Sequence, residues 1–186
     1  MSDRTLDVYL NAILVGKLMQ NDKGSLSFTY TSAFLHQATT GISLSLPLKA
    51  EPFTGIEVKA FFSGLLPDEI AKQKIARYLG FSEKNAFALL QAIGGECAGA
   101  LSLYPEEQLP PIHSDKDIEV LDDAKLCDIL ALLKRHPLLA GEDKMRLSLA
   151  GAQDKLAVDF EKGKVALIKN GAPTTHITTK FPHTFR

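Results

Sequence analysis

The chain has 186 residues, 45% of them hydrophobic, and carries 21 basic against 22 acidic side chains, a net charge of −1. That length and apolar share fit one or two small domains with a buried core and exclude a disordered tail or a fibrous repeat. Near-neutrality gives no general attraction to phosphate backbones or anionic lipid, and no stripe of Lys and Arg supplies one locally.

The first ten residues, MSDRTLDVYL, lack the apolar core of a signal peptide, and no run reaches the roughly 18 apolar residues that cross a bilayer. A cytoplasmic location is expected. Cys97 and Cys127 stand without CxxC spacing or His neighbours, so they are read as small core residues rather than as a disulfide or zinc ligands.

Residues 6–10 alternate in hydrophobicity, Asn11 and Ala12 suit a turn, and 13–18 alternate again, which predicts an opening β-hairpin. After the turn formers Asn21, Asp22, Lys23 and Gly24, the period returns through Leu26, Phe28 and Tyr30 as a third antiparallel strand. Val58, Phe61, Phe62 and Leu65 then lie at helical spacing, with Pro67 as the stop. Asp68 is a cap for a second helix with Ile70, Ile75 and Leu79 as its stripe and Gly80 as its end. Ser82 is expected to cap a third helix running to Ile93.

Residues 98–104 return to strand chemistry, and the proline-bounded stretch 105–111 reads as a linker. A domain over 1–106, a linker over 107–113 and a second segment over 114–186 follow. In that segment, 122–135 carries Leu126, Ile129, Leu130 and Leu133 at helical spacing before Pro137. Residues 145–148, 156–160 and 165–168 look like short strands, the last two joined by a turn at Gly163.

Between the first two of these strands lies Arg146-Leu147-Ser148-Leu149-Ala150-Gly151-Ala152-Gln153-Asp154-Lys155. Small residues let backbone N–H groups approach a phosphate closely, and Lys155 adds a cation. The segment matches neither the Walker A nor the GxGxxG pattern, and composition alone favours an ordinary surface hairpin loop.

These ten residues resemble the phosphate-binding loop of the HipA toxin kinases. Further matches stand in order: Ser43-Leu44-Ser45-Leu46-Pro47-Leu48, Phe61-Phe62, Leu65-Leu66-Pro67-Asp68, Ile93-Gly94 before Gly99-Ala100, and Pro173-Thr174-Thr175-His176-Ile177. The resemblance implies an α+β fold: a small N-terminal domain of antiparallel strands with helices, then the first strands of a kinase-like ATP-binding lobe. It implies a serine/threonine protein kinase of a toxin–antitoxin pair that uses ATP and magnesium. A HipB-like DNA-binding antitoxin would be the partner, with DNA reached only through it, and a translation-linked protein such as glutamyl-tRNA synthetase the substrate.

By the same resemblance, Ser148 is the autophosphorylation candidate, and Ser148, Leu149, Ala150, Gly151, Ala152, Gln153, Asp154 and Lys155 form the ATP phosphate-binding loop. A phosphate on Ser148 would add up to about two negative charges and repel ATP. Without the family, Ser148 is a strand-end serine satisfied by backbone or water. Lys180 is the candidate ATP-contacting lysine, although Thr178 and Thr179 separate it from Ile177 where the family has one residue. An added residue turns a strand side chain to the other face, and a solvated strand-end lysine is the alternative.

The carboxylates that orient the substrate hydroxyl and hold magnesium belong, in HipA-like kinases, to a C-terminal helical domain with no matching positions here, so no catalytic or metal-binding residue is assigned and the chain alone is expected to be inactive. His176 reads as a structural hydrogen-bonding residue, His36, His113, His136 and His183 are scattered, and the Asp122-Asp123 pair suits a helix start. The alternatives to a kinase portion are a non-catalytic interaction module that regulates a HipA-like kinase or antitoxin, and a truncated remnant.

Overall fold

A computed structural model of the chain describes residues 3–97, 100–110, 116–135, 156–161, 163–169 and 174–178. It is an α+β protein with two antiparallel sheets, dividing into two compact units: Met1–Leu66 with Glu83–Pro110, and Pro67–Ser82 with Pro111–Arg186. Among the described residues, no helix is long and apolar enough to cross a membrane.

The first unit is built on the expected hairpin. Strand β1 (Arg4–Leu10) pairs with β2 (Ile13–Gln20), and Asn11 and Ala12 take φ values of 48° and 67°, the left-handed pair a tight hairpin turn requires. The register shifts after Val8, which faces Gly16 while Tyr9 faces Leu14, so Val15 is the extra residue of a bulge. Strand β3 (Leu26–Tyr30) follows, then helix α1 (Ser32–Gln37), β4 (Phe53–Thr54), α2 (Ile56–Ser63), α4 (Ala86–Ile93) and β5 (Leu101–Pro105); α3 (Glu69–Leu79) falls in the second unit. The strand order is β4-β3-β2-β1-β5.

Register explains the core. Phe53, Phe28, Leu18 and Leu6 stand on one rung across four strands, all buried. Phe62 of α2 packs its ring 5.4 Å from that of Phe28, which seats the helix on the sheet. On the next rung Gly16 sits between Val8 and Tyr30, and a Cβ there would lie 2.5 Å from both the Phe28 ring and the Thr29 carbonyl. The sheet can hold the Phe28 ring only because position 16 has no side chain.

Helix ends follow capping chemistry. Asp68 Oδ1 accepts from Ala71 N at 3.0 Å and Gly80 closes α3 at φ 70°, as expected. Three expectations are corrected. The helix of Phe61 and Phe62 ends at Ser63, leaving Leu65 outside it. Ile70 is 65% exposed, because it lies five positions before the buried Ile75 and so about 140° around the helix. The cap of α4 is Asn85, whose Oδ1 accepts from Ala88 N at 3.1 Å, rather than Ser82.

In the second unit, β6 (Ile118–Val120), β8 (Lys164–Ile168), β7 (Leu156–Glu161) and β9 (His176–Thr178) form an antiparallel sheet in that order. Leu121, Leu156, Val158 and Leu167 make its core, covered by Leu126, Ile129 and Leu130 of α5 (Asp123–Arg135). Asp122 Oδ1 accepts from Lys125 N at 2.8 Å and caps that helix. Cys127 is exposed, a correction to its reading as core: one residue past Leu126 is about 100° off the buried face. Cys97 is half-buried.

Candidate functional site

The loop residues Ser148 to Lys155, and Lys180, lie outside the described residues, as do the strand expected over 145–148 and His113, His136 and His183. What is described is the frame on either side. Strand β7 begins at Leu156, the residue after Lys155, and β9 ends at Thr178. The two strands pair antiparallel, with Leu156 facing Thr178, Ala157 facing Ile177 and Val158 facing His176. On its other edge β7 continues through Asp159, Phe160 and Glu161 against β8, and Gly163 turns the chain at φ 80°.

Asp159 is the hub of this frame and was not singled out by sequence. Its carboxylate accepts from Lys116 Nζ at 2.7 Å, from Thr175 N at 2.8 Å and from Thr175 Oγ1 at 3.0 Å, joining the segment before β6 to the start of β9. The Lys116 ammonium, with help from Thr175, holds the Asp159 carboxyl below the ordinary aspartate range. Thr175 Oγ1 also lies 2.7 Å from His176 Nδ1. With its hydrogen given to Asp159, the Thr175 hydroxyl oxygen is left to accept in the second contact. His176 is exposed, and its ring meets Phe160 edge-on at 5.9 Å, a structural arrangement that agrees with its reading from sequence. No residue signal pointed to Asp159, since its partners lie 16 and 43 positions away.

A second cluster joins β6 to the residue after β8. Glu119 meets Lys169 at 2.7 Å and Lys125 at 3.2 Å, and these two ammonium groups hold its carboxyl below the usual glutamate range.

The upstream motifs form structure. Within Ser43-Leu44-Ser45-Leu46-Pro47-Leu48, Leu46 is fully buried and Leu44 fully exposed. Tyr30 donates its hydroxyl to the Leu46 carbonyl at 2.5 Å and accepts from Ile42 N at 2.8 Å, pinning the segment to β3. Leu66 is buried beside the cap Asp68, and a Cβ at Gly94 would lie 2.9 Å from the Leu103 Cβ. His36 is exposed at the end of α1, and Asp122 and Asp123 open α5.

The protein called "Putative kinase Y4mE" of Sinorhizobium fredii is 42% identical over 193 residues, covering 99% of this chain and 46% of its own length. The serine/threonine-protein kinase toxin HipA of Shewanella oneidensis is 28% identical, covering 93% of this chain and 39% of the toxin. A solved complex of Shewanella oneidensis HipA with HipB and operator DNA contains a chain that superposes with a TM-score of 0.70 and 25% identity, over 96% of this chain and 42% of that one. The chain therefore spans less than half the length of these relatives. Residues 6–104 match the model of the HipA N-terminal domain, and the chain belongs to the HipA family.

Proposed function

We propose that this chain is the N-terminal part of a HipA-like serine/threonine kinase toxin, contributing ATP-phosphate contact and its regulation, with the catalytic carboxylates supplied by a C-terminal domain. The observation that carries the reading is the likeness to Shewanella HipA along nearly the whole chain. In this reading residues 1–106 are the HipA N-terminal-like domain, 107–113 a linker, and 114–186 an incomplete N-lobe. Ser148 to Lys155 cradle the ATP phosphates, and Lys180 is a further ATP contact. Supporting this pairing of roles, the residue after Lys155 and the residue two before Lys180 are cross-strand partners.

Magnesium enters with ATP, its ligands coming from the catalytic domain. Phosphorylation of Ser148 adds negative charge where the triphosphate binds and turns the loop off. A HipB-like antitoxin is the partner, and a translation-linked protein the substrate.

The test is thermal unfolding with ATP and magnesium. Ligand at 100 times its dissociation constant stabilises a protein by about 2.7 kcal/mol, and Lys155→Ala should remove most of the shift. No nucleotide-dependent shift in the wild-type chain overturns the phosphate-loop assignment. Transfer of labelled phosphate to Ser148 by these residues alone overturns the placing of catalysis in another domain.

A further inference from the structure

We propose a second anion site in the first unit, independent of the kinase reading: a cavity of about 800 Å³ that takes a small phosphate-bearing molecule. Three separate elements meet there. The turn between β2 and β3 brings Lys23, the first turns of α2 bring Lys59, and the approach to α4 brings Lys84. Among the described residues, Asp3 is the one acidic residue in the lining. A chain balanced at 21 basic and 22 acidic residues thus has a cavity with three cations to one anion among its described residues, a local field that the total conceals.

Two of these ammonium groups, those of Lys23 and Lys59, are available as well as gathered. Lys17, Lys72, Lys116, Lys125 and Lys169 each pair with a carboxylate, whereas neither Lys23 nor Lys59 has an acidic partner among the described residues. Lys23 stands on a fixed base, since Asn21 Oδ1 accepts from Lys23 N at 3.0 Å and from Ser25 N at 2.9 Å. A turn already fixed beneath Lys23 lowers the ordering cost of binding.

The lining chemistry selects the ligand. Hydroxyls of Ser25, Ser27 and Thr54 offer donors to phosphoryl oxygens. The first turn of α2 has no side-chain cap at Gly55, so its N–H groups add to the field without being needed to create it. A Cβ at Gly24 or Gly55 would meet nothing within 4 Å, so the backbone at both positions faces open space. A concave site of this size suits a compact phosphate, and the net charge of −1 gives no long-range attraction to a nucleic-acid backbone.

The experiment is an amide NMR titration of the full chain with inorganic pyrophosphate at constant ionic strength. Saturable shifts are expected at residues 21–27 and 54–59, with affinity falling about tenfold or more in Lys23→Gln/Lys59→Gln and unchanged in Lys125→Gln. Shifts reproduced by sodium chloride, or insensitive to the double substitution, overturn the site. Response of the same amides to a duplex oligonucleotide but not to pyrophosphate overturns it in favour of a phosphate polymer. Failure of ATP binding at residues 148–155 leaves this outcome unaffected, because the readout lies in the other unit.

Discussion

Leu156 and Thr178 face each other across the β7–β9 pair, although 21 residues of chain separate them. The pairing ties the strand that leaves the candidate phosphate loop to the strand that leads toward Lys180. It rests on three residue pairs at a sheet edge, and a direct measurement can test it.

A cross-link supplies that measurement. Ala157 and Ile177 are opposite each other, and Cα atoms of directly opposed antiparallel residues lie about 4.5–5.5 Å apart, inside the range a disulfide spans. In a background with Cys97→Ser and Cys127→Ser, the pair Ala157→Cys and Ile177→Cys should be oxidised readily by a mild oxidant, with the loss of two hydrogen atoms seen by mass spectrometry. Thiols that persist under mild oxidant, with Ala157→Cys cross-linking instead to a cysteine at position 176 or 178, show a slipped register.

Asp159→Asn keeps the shape of the side chain but removes the charge that accepts from Lys116 and Thr175. The loss should be about 1–3 kcal/mol at neutral pH, read from urea unfolding. Because the Asp159 carboxyl is held below its unfolded value, its contribution is complete above about pH 4 and disappears as pH falls through the lower folded value. The variant should therefore lose less stability on acidification than the wild type. Glu119, held low by Lys169 and Lys125, leaves it a residual acid sensitivity.

Elements whose instructions are local were legible in the sequence. The hairpin announced itself through alternation around Asn11 and Ala12, α3 through Asp68 and Gly80, and α5 through Leu126, Ile129 and Leu130. Elements made by pairing were not. Strands β4 and β6 are two and three residues long, too short for any period, and exist because Phe53 meets Phe28 and Glu119 meets Leu167. Helix α1 buries only Phe34, and its Thr31 cap has no apolar stripe after it. Ser82 and Asn85 are both good caps, and only the position of the buried run from Phe87 to Leu90 chooses between them. In the candidate site no local motif reveals Asp159, whose role depends on segments before β6 and at β9 folding onto β7.

Tyr30→Phe tests the clamp on the segment 42–47. The change removes a hydroxyl that bonds both the Leu46 carbonyl and the Ile42 N–H, and should destabilise by about 1–3 kcal/mol. Burial raises the Tyr30 pKa above its ordinary value. Its contribution is thus present in full below about pH 10 and is lost as pH rises toward the folded value. Unfolding midpoints measured from pH 8 upward should fall more steeply for the wild type than for the variant, with the remaining alkaline slope including Tyr9, also raised by burial. Equal slopes would show that the phenol is solvated.

Leu44 and Leu46 are two positions apart in one motif and have opposite fates, which separates what the motif does for folding from what it does for binding. Leu46 is 0% exposed, so Leu46→Ala should cost about 2–5 kcal/mol through lost burial and the cavity left behind. Leu44 is 102% exposed, at the tip of a turn where Ser43 Oγ and Ser45 Oγ lie 2.9 Å apart. Leu44→Ser should change stability by no more than about 0.5 kcal/mol. A large loss of stability in Leu44→Ser would mean that the side chain packs inward. If stability holds while association with a HipB-like antitoxin weakens, the leucine is kept for its partner, because an isolated exposed leucine contributes nothing to the core that could account for the effect.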